Sequence, residues 1–168
     1  MRHSTVLLTI PVVVLLTQPL WAPQWGAGML GEVTALGPLG SLLAFVVFFG
    51  LVALYCRSLQ RLSQRVAPQF RARSPRSVWL MFAVPFNFVE DFAIVADLGT
   101  SLRRAGQTRA SVVTTWVALG WTWCGLQIAS LLPGTVGVAA GVLALLAWAD
   151  HWVYTVLIGR RLRAAAPA

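Results

Sequence analysis

Apolar runs long enough to cross a bilayer, separated by clusters of arginine, constrain this chain more than any other feature. A spanning helix needs about 20 predominantly apolar residues to cover a hydrocarbon core of roughly 30 Å. Four stretches meet that requirement: residues 6–22, 36–56, 112–132 and 136–159. A fifth, 78–96, starts apolar but carries Asn87, Glu90 and Asp91, with Asp97 just beyond. The chain is 58% hydrophobic and 11% charged, whereas soluble domains carry about a quarter charged residues. That balance excludes an ordinary aqueous domain and intrinsic disorder. With only Cys56 and Cys124 there is no disulfide framework, and helix rise separates these two by depth, so no bridge between them is expected.

The side of the membrane follows from charge. All 13 basic residues are arginine, and they fall in four clusters: Arg2; Arg57 to Arg76; Arg103, Arg104 and Arg109; and Arg160, Arg161 and Arg163. Short loops rich in Lys and Arg stay cytoplasmic. If 78–96 crossed, the second and third clusters would lie on opposite sides. If it does not cross, every arginine is cytoplasmic, and the loops left outside, 23–35 and the Pro133-Gly134 turn, hold one acid, Glu32, and no base. The expected architecture is therefore an all-α, polytopic helix bundle of four transmembrane helices plus one re-entrant or interfacial segment, with both termini inside. The +8 formal charge is accounted for as topology, so no nucleic-acid partner is expected. The expected setting is a bacterial inner membrane.

On this reading residues 1–168 form one membrane domain. Residues 1–57 would be a first helical hairpin, 58–110 a basic cytoplasmic loop holding the special segment at 78–100, and 111–168 a second hairpin with a basic tail. The two hairpins echo each other weakly, since each opens and closes on arginine. Proline disfavours helical geometry at the residue before it, so an arm from Val78 is expected to turn near Pro85-Phe86-Asn87 and return. The return arm reads as amphipathic: Asn87, Glu90, Asp91, Asp97, Ser101 and Arg104 recur at helical spacing, with Phe88, Phe92, Val95 and Leu98 on much of the other face. The alternative is a fifth true span with a buried polar face. Met1-Arg2-His3 before an apolar run resembles a secretory signal, but Pro19-Leu20-Trp21-Ala22 is a poor cleavage site, so a retained first helix is expected.

The chemistry-bearing residues are few. Asp150-His151 lies nine to ten residues from Arg160, roughly 13 to 15 Å from the inner end. A charged aspartate at a helix centre costs about 2.5 to 3.5 kcal/mol, so a partner or water is expected beside it. Adjacent residues are about 100° apart on a helix and cannot both face one groove. Antiparallel pairing through Pro133-Gly134 would bring Thr114, Thr115 and Trp116 to that depth. The pair reads either as a proton-carrying or ligand-binding site or as a helix-packing contact. Asn87, Glu90, Asp91 and Asp97 could bind a cation or relay protons, or could neutralise the flanking arginines. Trp116, Trp148 and Trp152 could wall a quinone, pigment or lipid tail, or simply fill volume. Gly137-Val-Ala-Ala-Gly141 is a G-x-x-x-G, compatible with close helix approach. No catalytic or metal-binding spacing is present, His3 and His151 being the only histidines, and no cofactor is assigned.

Trp79, Leu80, Phe86, Asn87, Val89 and Phe92, followed by Ser101-Leu102, resemble the W-L-x5-F-N-x-V-x-x-F segment of uncharacterised small bacterial multi-span membrane proteins. The resemblance covers about 25 residues. It implies a multi-span membrane fold and no activity, and the Glu90-Asp91 pair departs from it. The functional expectation is a small integral membrane subunit or accessory of a larger assembly, touching lipid and either other membrane subunits or its own copies. The rival is a proton-coupled or small-solute transporter using Asp150, His151, Glu90, Asp91 and Asp97. An intramembrane enzyme acting on a lipid or quinone ranks below both, because no nucleophile and base can be paired.

Overall fold

The computed structural model describes residues 3–164. Arg2, on which part of the sidedness expectation rests, and residues 165–168 of the basic tail lie outside the described residues. The fold is all-helical among the described residues: α1 (His3–Trp21), α2 (Gly28–Thr34), α3 (Gly37–Arg65), α4 (Asn87–Ala105), α5 (Ala110–Ala129) and α6 (Gly134–Ala164), with 3-10 turns at Pro23–Trp25, Pro68–Phe70 and Pro75–Phe82.

Three helices, α3, α5 and α6, are long and apolar enough to cross a membrane. The apolar part of α1, Thr5–Trp21, falls short of that length. The whole of α1 has 19 residues and continues through Pro11 and Pro19, and Pro23 opens the next turn. Of the four spans expected from the sequence, three are matched by helices of that length, α3, α5 and α6.

The segment 78–96 is not one helix. Pro75–Phe82 winds as a 3-10 turn, the chain reverses through Ala83 to Phe86, and α4 starts at Asn87. Contacts fix the directions. Trp79 Nε1 donates to Gln60 Oε1 at 2.8 Å, Met81 lies by Cys56, and Phe82 lies by Phe49, so this arm climbs α3 in the opposite sense. Further along α4, Ser101 Oγ accepts from the backbone N–H of Ala72 at 2.9 Å, so α4 runs back down beside the arm. α4 then ends on Gly106, whose φ of 65° is a left-handed cap, with Arg103 and Arg104 in the last turn where the helix dipole favours cations.

α5 and α6 form the most extensive helix pair, joined by a turn in which Gly134 takes a φ of 68°. α4 packs next to α5, the C-terminal half of α3 packs on α6, and α1 lies against α4. The two arginine-bounded hairpins of the sequence therefore differ in packing. The core gathers Tyr55, Cys56, Leu59 and Leu62 of α3, Ile94, Val95, Leu98 and Leu102 of α4, Val113, Trp116, Trp123 and Cys124 of α5, and Trp148, Ile158 and Leu162 of α6. Close approach of α4 and α5 depends on glycine. A Cβ at Gly99 would run into Val117, and one at Gly120 would sit 2.7 Å from Val95 Cγ1. The outer half of α3 faces outward: Leu39, Leu42, Phe45, Val46 and Phe49 are all exposed. An apolar helix so exposed requires hydrocarbon around it.

Candidate functional site

The adjacent residues Asp150 and His151 part company. His151 points into the core and is fully buried, while Asp150 is exposed on the outer arc of α6 among Leu146, Val153 and Leu157. Asp150 makes no ion pair among the described residues. It does not join Glu90, Asp91 or Asp97.

His151 is held from several sides. Its Nδ1 is hydrogen-bonded to the hydroxyl of Tyr55 at 2.7 Å. The Trp116 ring lies 4.5 Å from the imidazole, and Trp116 Nε1 donates to Thr155 Oγ1 at 2.9 Å. Thr155 in turn donates to the carbonyl of His151 at 2.8 Å. Trp152 is drawn the other way, donating from Nε1 to Ser58 Oγ at 2.9 Å, and so ties α6 to α3. Tyr55 is ringed edge-on by Trp123, Trp148 and Trp152 at 5.6 to 5.9 Å, which is favourable aromatic geometry. Trp116, Trp148 and Trp152 thus surround the His151–Tyr55 pair.

The four polar residues of the middle segment divide in two. Glu90 and Asp97 face the loop before the 3-10 arm. Arg73 Nη1 donates to Glu90 Oε2 at 3.0 Å, and Arg73 Nε lies 3.9 Å from Asp97 Oδ2. Thr5 Oγ1 of α1 donates to Glu90 Oε1 at 3.2 Å. This is the neutralising arrangement: one guanidinium staples the loop to α4, and a helix hydroxyl completes the Glu90 carboxylate.

Asn87 and Asp91 face a different way, into a cavity of about 360 Å³. Its floor is formed by Asn87 and Asp91 of α4, Tyr55 of α3, Trp123, Gln127 and Ser130 near the end of α5, and Trp148 of α6. Its walls are apolar, from Val33, Val52, Met81 and Ala144. Phe45, Phe48, Phe49 and Leu145 also line it and are exposed on the outside of the bundle, so it opens between α3 and α6. Asp91 is 1% exposed and makes no ion pair among the described residues. Burial first, and the neighbouring Glu90 charge second, push its carboxyl well above the usual carboxylate range. The arrangement can accept a molecule with an apolar body and a polar end, and can hold a proton at Asp91.

Tyr55, Trp123, Gln127 and Ser130 were not among the residues singled out by the sequence. Tyr55 and Gln127 carried a usable signal, each being a hydrogen-bonding side chain inside an otherwise apolar run. A scan against protein-family models matches none, and searches of the curated proteins and of the solved structures return no match.

Proposed function

We propose that this is an integral protein of a bacterial inner membrane whose role is to bind a lipid-soluble, amphiphilic molecule in the cavity between α3, α4, α5 and α6. The single observation that carries this reading is the cavity itself: apolar walls, a polar floor at Asn87 and Asp91, and a mouth lined by exposed Phe45, Phe48 and Leu145. A ligand dissolved in the bilayer enters such a mouth sideways, without crossing water. The topology that goes with it has α1 as a fourth, short crossing, both termini cytoplasmic, and 75–105 as a re-entrant hairpin. Supporting that hairpin are the reversal before Asn87 and the placement of Arg71, Arg73, Arg103 and Arg104 around its two ends.

The test is retention of a ligand. Protein extracted in mild detergent and weighed by native mass spectrometry should carry a lipid adduct. Ala144→Phe, which fills the cavity wall, should lose it with the fold intact by circular dichroism. An adduct of equal occupancy in both proteins would refute the cavity as its seat.

A second reading, membership of a larger membrane assembly, is favoured by Asp150. A carboxyl on the outward arc of α6 faces either hydrocarbon, at about 2.5 to 3.5 kcal/mol if charged, or a hydrogen-bond donor from another chain. Native mass measurement of complexes from the source membrane, compared with Asp150→Ala, tests it. A lone monomer in both cases would count against an assembly built on this residue.

A further inference from the structure

The cavity floor says what the polar end of the ligand is. Asn87 Oδ1, Asp91 Oδ1, Gln127 Oε1 and Trp148 Nε1 are buried with no hydrogen-bond partner, and all four residues line the same space. Asn87 is 7% exposed and Trp148 6% exposed, so bulk water does not serve them. Native interiors leave few polar groups unpaired, and several orphans converging on one cavity mark an absent partner.

Asn87 Oδ1 and Gln127 Oε1 accept, Trp148 Nε1 donates, and a carboxyl at Asp91 that keeps its proton can do either. Turning either amide over leaves both kinds of group at the floor, since each amide carries one of each. A complementary guest must therefore give a hydrogen and also receive one. A hydroxyl does both. A carboxylate, a phosphate or a quinone carbonyl only receives. The lining holds no Arg, Lys or His, so an anionic head would sit beside Asp91 with no counter-charge, a costly burial.

Resting on the cavity-binding reading above, we propose that the protein binds a neutral single-chain lipid alcohol. Its hydroxyl lies among Asn87, Asp91, Gln127 and Trp148, and its chain leaves past Phe45, Phe48 and Phe49. One chain is what a space of about 360 Å³ admits, which sits at the small end of the roughly 300 to 1,000 Å³ typical of ligand sites. A fatty alcohol and a polyprenol share this chemistry.

The experiment uses the full chain in zwitterionic nanodiscs and reads quenching of tryptophan fluorescence by brominated octadecanol, octadecanoate and octadecylamine. The alcohol is expected to quench saturably, with at least tenfold higher affinity than the acid or the amine. Gln127→Leu, and separately Asp91→Leu, should reduce the alcohol's advantage to less than threefold; two variants keep the result readable if one fails to fold. Competition by unbrominated octadecanol and by a polyprenol then distinguishes the two sources. Saturable binding that favours the acid or the amine overturns the alcohol assignment and leaves the cavity reading standing. Saturation by none of the three overturns both and makes the cavity a pocket of water.

Discussion

Glu90 and Asp91 are neighbours in sequence, equally buried, and on the same first turns of α4, yet their surroundings have little in common. Glu90 is met by Arg73 from the preceding loop and by Thr5 from α1. Asp91 looks into a cavity and meets no cation among the described residues. A helix turns its successive residues by about 100°, so one step along the chain exchanges a stapled face for an open one. The difference teaches that a carboxyl in this setting is assigned its task by what other elements bring to it. The same lesson holds for Asp150 and His151, one turned outward and the other bound to Tyr55.

The comparison can be broken most forcefully on the Glu90 side. Arg73→Ala leaves a carboxylate buried without its guanidinium and should destabilise the protein by about 3 kcal/mol. Thermal unfolding in detergent measures it, and adding Glu90→Gln to that variant should recover most of the loss. If the double variant is no better than the single one, Arg73 acts through something other than Glu90.

Gly120→Ala sharpens the contrast by disturbing α4 without touching either acid. Its Cβ would lie 2.7 Å from Val95 and 2.8 Å from Nε2 of His151, and overpacking of that kind costs about 1 to 3 kcal/mol. The melting temperature should fall, and ligand retention should weaken with it. A smaller loss, about 1 kcal/mol, is expected for Tyr55→Phe, which strips the hydrogen bond from His151 Nδ1 at the cavity's edge.

The last effect is the most diagnostic in form. The raised pKa of Asp91 means that its contribution is complete at pH below the ordinary carboxylate range and is lost as pH rises through the raised value. The wild-type protein should therefore lose stability on going from acid to alkaline pH relative to Asp91→Asn. At acidic pH the two should differ by less than about 0.5 kcal/mol. Parallel curves across the whole range would mean that Asp91 is not the group that titrates.

Much of this arrangement is legible in the residues. Pro85 marks the reversal, and the spacing of Asn87, Glu90, Asp91, Asp97 and Ser101 marks an amphipathic helix that the structure has at Asn87–Ala105. The approach of His151 to Trp116 follows from antiparallel pairing through the Pro133-Gly134 turn. Which polar face of α4 meets arginine and which meets empty space is not written locally, because Arg73 and Tyr55 arrive from elements 17 and 36 residues away from Glu90 and Asp91.

The glycines between α4 and α5 carry one more consequence. With Gly99 against Val117 and Gly120 against Val95, the α4–α5 pair that carries Asp91 and Trp123 is tightly locked. The opposing side is α3 beyond Tyr55, whose apolar stretch is only 11% buried. Any widening of the chamber is therefore expected to move α3 rather than the α4–α5 pair. Spin labels on α3 at position 46 and α5 at position 118 should show a broad distance distribution where a pair on α4 and α5 shows a narrow one.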